Sequence, residues 1–130
     1  EIDAIARIAL ESDLAALIVS NTTLARPPLR SKHAGETGGL SGAPLAPISL
    51  QRLKDFRKAT GGQIPLIAAG GIDSADAAWE RIVAGASLVQ LYSAMVYHGP
   101  MLGRRIAKGL SQRLRREGFA SIEDAIGSQA

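Results

Sequence analysis

The sequence contains no cysteine and few aromatic residues. Of its 130 residues none is cysteine, and phenylalanine, tyrosine and tryptophan together make up only 4%. The lack of cysteine excludes disulfide bonds, a thiolate nucleophile and zinc sites of the usual cysteine-containing structural type. The shortage of aromatic side chains disfavours a base-stacking surface for RNA. No group of residues has metal-ligand spacing, so we expect no metal.

Long apolar runs are also missing. The longest, such as Ile64–Ala69, are far shorter than the roughly 20 residues that a helix needs to cross a bilayer. We therefore expect no transmembrane helix in this segment. The chain starts at Glu1, and its two methionines lie at positions 95 and 101, so we expect it to be part of a longer polypeptide.

Basic residues are concentrated near the carboxyl end. The formal net charge is +3, yet Met101–Glu117 alone carries six basic side chains against one acidic side chain. The rest of the chain is therefore slightly acidic. A basic helix of this kind is more often a solvated outer face than a nucleic-acid-binding surface, and we predict no nucleic-acid partner.

What the sequence does contain is an alternation of helical and strand patterns within one domain. The chain is 46% hydrophobic and 21% charged, which is typical of a packed soluble fold. Three apolar runs predict strands, of the kind that parallel sheets bury. They are Ala16–Val19, Ile64–Ala69 and Leu88–Tyr92. Apolar residues at helical spacing predict helices before the first strand, between the strands and after the third.

Capping residues indicate where several of these helices begin. Ser49 is predicted to cap the second helix, and Asp73 or Ser74 the third. Ser121 with Asp124 predicts a short capped helix near the end of the chain.

The order of the predicted elements indicates an α/β fold. A closed (β/α)8 TIM barrel typically has about 250 residues, so three strand–helix units would be somewhat under half of one. A doubly wound parallel sheet is the competing architecture, and periodicity alone does not separate the two.

Ligands of parallel α/β folds meet the carboxyl ends of the strands, so the residues there are candidates for binding. Gly70–Gly71 follows the second strand and precedes a helix, where main-chain N–H groups favour an anion. Tyr92–Ser93 follows the third strand, and Ala94–Tyr97 forms a short segment before the last long helix. Barrels often bind phosphate with the loops of the last two strands and a short extra helix, so we predict a phosphate ligand. A tight structural turn at Gly70–Gly71 is the alternative.

Uncharged polar residues follow the first strand. Asn21–Thr23 opens a long segment, rich in glycine, proline and serine, that extends to Pro47. Amide and hydroxyl groups suit recognition of a planar polar heterocycle, whereas a local turn that only caps the strand is the alternative. His33 lies in the same segment without an evident carboxylate partner, and we interpret it as a solvated residue and not a base.

Four segments together resemble one family. They are Ile18–Thr23, Thr37–Leu45, Ala69–Ile72 and Ala84–Ser93, and they contain NTT, GGLSG, GGI and AGASLVQLYS in that order. This combination is similar to the carboxyl-terminal part of dihydroorotate dehydrogenases. NTT and GGLSG-x-PL most resemble the quinone-dependent class of that family.

The resemblance implies an FMN enzyme of pyrimidine biosynthesis that oxidises dihydroorotate to orotate and passes electrons to a quinone. The implied flavin-binding residues are Ser20, Gly42, Gly71, Tyr92 and Ser93. Gly42 and Gly71 would approach FMN through their main chain, and Tyr92 with Ser93 would complete its phosphate site. Asn21 and Thr22 would hydrogen-bond the orotate ring.

The resemblance also implies what these residues leave out. The catalytic serine base, a flavin-contacting lysine and the amino-terminal helices that meet the quinone would lie upstream. We therefore expect no catalytic residue in this segment and no activity from it alone. The whole protein would be peripheral on the inner, cytoplasmic membrane through those upstream helices. Ala68 and Ala94 stand where the family often has glycine, and both are compatible with a main-chain phosphate site.

Two other interpretations stay open beside a partial FMN-binding barrel domain at residues 1–130. Another phosphate-binding TIM-barrel enzyme would share the glycine turn, although NTT and GGLSG disfavour it. A non-catalytic phosphate-binding or interaction module would not need the missing parts. Three parallel strands alone, however, would leave exposed edges and an uncovered face, so we expect the isolated segment to associate.

Overall fold

A computed structural model describes all 130 residues as alternating helices and strands. The helices are α1 (Ile2–Glu11), α2 (Ala46–Thr60), α3 (Ala75–Val83), α4 (Ser93–His98), α5 (Leu102–Glu117) and α6 (Ile122–Ala125). The strands are β1 (Leu17–Val19), β2 (Leu66–Ala69) and β3 (Ala86–Gln90). A 3₁₀ turn, Ala43–Leu45, leads directly into α2. The predicted order of helices and strands is confirmed.

The three strands form one parallel sheet in the order β1-β2-β3. Each strand therefore pairs with the next strand along the chain, and the order shows no reversal of the kind that a doubly wound sheet has at its switch point. This sequential arrangement is that of a (β/α)8 barrel. It favours the first of the two predicted architectures.

Helices cover one face of the sheet and leave the other open. The core on the helical side contains Val19, Leu66, Ala68 and Ala86 with residues of α1, α2, α3 and α5. On the opposite face, Ile18, Ile67 and Leu88 are register partners in one row across the three strands. Ile18 is 53% exposed and Leu88 is 61% exposed. We call these three residues the open-face row.

All three strands have ends that differ from the predicted ones. Strand β1 starts at Leu17 and not at Ala16. Strand β2 starts at Leu66 and not at Ile64, since Pro65 has no N–H with which to join a ladder. Strand β3 is shifted two residues towards the amino end, because Ala86 pairs with Leu66 in the core, while Tyr92 already caps α4. Alanine and serine have low strand propensity, so the start of β3 carries no apolar signal.

The predicted cap of the second helix is wrong. Helix α2 begins three residues before Ser49, with Pro47 in its first turn, where a missing N–H costs nothing. Ser49 is therefore buried inside the first turns of the helix. The cap of α3 by Ser74 and the capping box of Ser121 and Asp124 are confirmed.

The basic stretch forms α5 and packs through its apolar side. Leu102 and Ile106 are buried, whereas most of its arginines are exposed. Arg113 is the exception, since it lies over the ring of the buried Trp79 and pairs with Asp76. A membrane-spanning helix is absent, and the longest helix, α5, has 16 residues.

Candidate functional site

One cavity of about 710 Å³ opens at the carboxyl ends of the three strands. It is lined by residues that follow each strand and by the loop that precedes α2. All of the residues predicted to bind a ligand line it: Ser20, Asn21, Thr22, Gly42, Gly71, Tyr92 and Ser93. The fold therefore brings together positions up to 73 residues apart in sequence, and their individual roles stay predictions.

The cavity wall offers hydrogen-bonding groups but no cationic side chain of the lysine or arginine type. Asp73, Gln90 and His98 also line it and were not predicted. Main-chain N–H groups, hydroxyls, amides and the imidazole of His98 are thus the donors available to a ligand. Such a set suits a planar heterocycle or a phosphate that the main chain holds.

Two of the motifs form one structural unit at the edge of the cavity. Thr23 and Leu40 make an isolated antiparallel bridge, with N–H to carbonyl distances of 3.1 and 2.7 Å. Beside it, Gly39 lies so close to Thr22 that a Cβ at position 39 would overlap the threonine Oγ1. NTT and GGLSG are therefore adjacent, because the main chains of Thr23 and Leu40 pair and Thr22 packs against Gly39.

Arg26 ties together the segment between these two motifs. Its Nη1 donates to the carbonyls of Thr23, Leu24 and Ala25, each at 3.3 Å. Its Nη2 donates to the carbonyls of Glu36 and Gly38 at 3.1 and 2.5 Å. One guanidinium thus joins the two ends of the segment. The glycine-, proline- and serine-rich composition of this segment did not predict these contacts. We call them the clamp of Arg26.

The side chain of Asn21 has one end occupied and one end free. Its Oδ1 accepts the main-chain N–H of Thr22, the next residue, at 2.7 Å. The local turn considered from the sequence lies instead at Thr23, whose Oγ1 accepts the main-chain N–H of Ala25 at 3.1 Å. The Nδ2 of Asn21 donates to no atom of the chain. The occupied oxygen orients the amide, and the two remaining N–H groups are available to an acceptor on a ligand.

The hydroxyls of Ser41 and Ser93 lie 2.8 Å apart and join the GGLSG loop to the start of α4. Ser41 was not predicted as a site residue, because no spacing rule connects residues 52 positions apart. Gly42, the next residue, has a φ of +76° and a ψ of −159°, a region open only to glycine. Tyr92, which precedes Ser93, also lines the cavity, and its side chain is 86% exposed.

The turn at Gly70–Gly71 is packed tightly against the start of α2. Gly71 has a φ of +67°, and a Cβ there would lie 2.5 Å from the main-chain nitrogen of Ala46. Ser49 donates its hydroxyl to the Gly70 carbonyl at 2.8 Å. The structural turn proposed as the alternative is thus present, and the same turn lines the cavity.

Arg81 of α3 lies behind this turn and is only 2% exposed. Its guanidinium donates to Ala46 O at 2.8 Å and to Glu80 Oε2 at 2.9 Å. Burial lowers the pKa of Arg81, while the charge of Glu80 and its hydrogen bond oppose that change. Arginine stays protonated in proteins, so Arg81 is a buried cation, and none of its buried nitrogens lacks a hydrogen-bond partner.

His33 does have a carboxylate partner, which corrects the reason given for setting it aside. Its Nδ1 lies 2.6 Å from Glu36 Oε1, one turn away in the same loop. Both side chains are more than half exposed, and neither lines the cavity. The contact is an exposed surface pair of small energetic value, and the interpretation of His33 as solvated agrees with its exposure.

Comparison with known proteins gives the same family at every level. A family model described as dihydroorotate dehydrogenase matches residues 1–114. The dihydroorotate dehydrogenase (quinone) of Erythrobacter litoralis is 67% identical over 129 residues, which are 99% of this chain and 38% of that protein. The protein of the same name from Novosphingobium aromaticivorans is 64% identical, over 99% of this chain and 37% of its own length.

A solved structure extends the likeness to three dimensions. The crystal structure of DHODH from Eimeria tenella in complex with ferulenol superposes with a TM-score of 0.92 at 46% identity. The match covers 97% of this chain and 34% of that one. This chain therefore spans just over a third of the length of the relatives it matches. The fold class predicted from the resemblance, part of a (β/α)8 barrel, is confirmed, and the chain belongs to the dihydroorotate dehydrogenase family.

Proposed function

We propose that residues 1–130 are the carboxyl-terminal portion of a longer FMN-binding barrel that acts as a quinone-linked dihydroorotate dehydrogenase. The whole enzyme would oxidise dihydroorotate to orotate in pyrimidine biosynthesis. The observation that carries the proposal is that one cavity is lined by parts of all four motifs: Asn21–Thr22, Ser41–Gly42, Gly70–Gly71 and Tyr92–Ser93. The relatives named dihydroorotate dehydrogenase (quinone), at 64% and 67% identity, support the choice of electron acceptor.

The cavity fits FMN in size and in chemistry. Its volume of about 710 Å³ is within the usual range for small-molecule sites. Two of its turns present main chain without a Cβ, at Gly42 and at Gly70–Gly71, so a ligand can approach the backbone closely. The Gly71 N–H makes no hydrogen bond within the chain and would serve the phosphate. Ser20, Tyr92 and Ser93 would complete the flavin site.

Asn21 and Thr22 would hold the pyrimidine. The free N–H groups of Asn21 match the acceptor oxygens of orotate, and the bridge to Leu40 keeps this loop beside the cavity. The bound flavin would supply the hydride-accepting chemistry. The residues of this segment orient and bind, and we place the catalytic base, the quinone contact and the peripheral membrane contact in the upstream part of the protein.

The test is to express the full-length gene product and to record its visible spectrum. We expect bound FMN whose absorbance is bleached by dihydroorotate without oxygen and restored by a quinone. Orotate is expected to raise the melting temperature, since a ligand that binds only the folded state stabilises it. A folded full-length protein that takes up no FMN would contradict the proposal. FMN that is reduced by a hydroxy acid and not by dihydroorotate would point to a different barrel oxidase.

A further inference from the structure

Only three polar or charged residues are buried in this chain, and two of them meet behind the glycine turn. They are Ser49, Thr60 and Arg81. Arg81 Nη2 donates to Ala46 O at 2.8 Å and also points at Ser49 Oγ at 3.5 Å. Thr60 lies at the other end of α2, where its hydroxyl donates to Phe56 O at 2.8 Å. The network at Ser49 is therefore a local feature of the cavity end of the sheet.

The Ser49 hydroxyl has one hydrogen to donate, and two carbonyl oxygens lie within hydrogen-bonding distance of it. Gly70 O is nearer, at 2.8 Å, and Ala46 O is at 3.1 Å. The Ala46 carbonyl already accepts a charged donor from Arg81, so the serine hydrogen is best used on Gly70. Arg81 thus directs the serine hydroxyl towards the turn.

Fixing the Gly70 carbonyl also fixes a donor that faces a ligand. The Gly70 carbonyl and the Gly71 N–H belong to one planar trans peptide, in which they point in opposite directions. When Ser49 holds the carbonyl against α2, the Gly71 N–H must point away from α2. That N–H has no partner in the chain, and Gly71 lines the cavity.

We propose that Ser49 and Arg81 are positioning residues that aim the Gly71 N–H at the anionic phosphate of a bound flavin. This inference rests on the proposed function for the identity of the anion. Glycine at both positions of the turn leaves the peptide free to rotate, since no Cβ restricts it. A side chain that fixes the carbonyl therefore supplies the preorganisation that the two glycines lack.

The experiment uses the full-length protein and two matched substitutions in the same helix. Ser49→Ala removes the hydroxyl behind the turn, and Thr60→Val removes a buried hydroxyl remote from it at constant shape. The apo-protein is titrated with FMN by fluorescence, and the ³¹P NMR shift of bound FMN is recorded. We expect S49A to raise the FMN dissociation constant about tenfold and to move the ³¹P signal. T60V is expected to change neither, whatever it does to the melting temperature.

Arg81→Lys gives a second approach should S49A fold poorly. Lysine keeps the buried charge but cannot contact Glu80, Ala46 and Ser49 from one planar group, so FMN binding is expected to weaken in the same direction. Wild-type FMN affinity and an unchanged ³¹P signal in S49A would overturn the inference. Equal weakening by T60V would reduce the effect to general stability and overturn it too. A wild-type protein that binds no FMN would instead refute the proposed function.

Discussion

Two glycines of the cavity have similar φ angles but different reasons to be glycine. Gly71 is enclosed, because a Cβ there would overlap the main chain of Ala46. Gly42 is open, because a Cβ there would meet only Ser93 Cβ, at 3.9 Å. The first position is set by packing of the turn on α2, and the second by the backbone conformation of the loop.

Alanine substitutions at these two positions are expected to separate the cost of a packing clash from the cost of the backbone conformation. Gly71→Ala combines a left-handed φ with a main-chain clash, and we expect a loss of about 2–5 kcal/mol in the free energy of unfolding. Gly42→Ala carries the conformational cost alone, about 1–3 kcal/mol, and places a methyl group beside the cavity. Urea denaturation of the flavin-free full-length protein measures the first effect. A G71A variant as stable as wild type would contradict the packing described for the turn.

Asn21 allows a prediction about substrate affinity. Asn21→Ala removes the free N–H groups that face the cavity, so we expect KM for dihydroorotate to rise about tenfold, as for loss of one or two hydrogen bonds. FMN content is expected to stay unchanged. Gln51→Ala is the matched control, since that amide is exposed on α2 and contacts only Asp55. A KM for N21A equal to that of Q51A would remove Asn21 from the substrate site.

At the level of elements, the segment between NTT and GGLSG depends on Arg26. Arg26→Ala removes contacts to five carbonyls, and the Thr23–Leu40 bridge then remains as a hydrogen-bonded link between the two ends of the segment. We expect amide hydrogen exchange in residues 24–38 to become about tenfold faster, the equivalent of about 1.4 kcal/mol.

Arg30→Ala is the control for this prediction, because Arg30 lies in the same segment, is exposed and makes no hydrogen bond or ion pair. Exchange in the R30A variant is expected to match wild type. If both substitutions accelerate exchange equally, the segment responds to general charge and not to the clamp made by Arg26.

The elements themselves were largely predictable from local signals. Apolar runs located all three strands, and capping residues located α3 and α6, because these features depend on near neighbours in sequence. The shift of β3 came from a tertiary contact, whereas the starts of β2 and α2 had local signals that were not used, Pro65 before the strand and Pro47 in the first turn of the helix. Ala86 enters β3 because Leu66 lies beside it, and Ser49 is drawn into α2 by a helix start at Ala46.

The residues that line the candidate site could be predicted from the sequence, but the contacts that hold them in place could not. Residues at strand ends and in the motifs converge on one cavity, as the rule for parallel α/β folds requires. The contact of Ser41 with Ser93, the clamp of Arg26 and the hydrogen bond of Ser49 to the turn were missed. Each includes a contact between residues 12 or more positions apart, which neither periodicity nor a local motif could show.

At the scale of the whole molecule, the sheet has one covered and one uncovered face. The open-face row of Ile18, Ile67 and Leu88 lies across all three strands, opposite the helices. In a closed barrel such inward residues are packed in layers by the remaining strands. The chain covers 38% of the Erythrobacter relative, which has further length from which those strands could come.

This asymmetry predicts that one pair of substitutions has opposite effects in two contexts. In the isolated 130-residue chain, Ile18→Gln with Leu88→Gln replaces exposed apolar surface, so we expect less self-association by analytical ultracentrifugation. In the full-length protein the same pair places two amides inside the barrel. We expect the free energy of unfolding to fall by about 2–6 kcal/mol, since each buried unpaired polar group costs about 1–3 kcal/mol. The pair of substitutions benefits the isolated chain and destabilises the full-length protein only if the rest of the barrel covers this face. An isolated chain that is already a sharply melting monomer would favour the interaction module instead, because its open face would then need no partner.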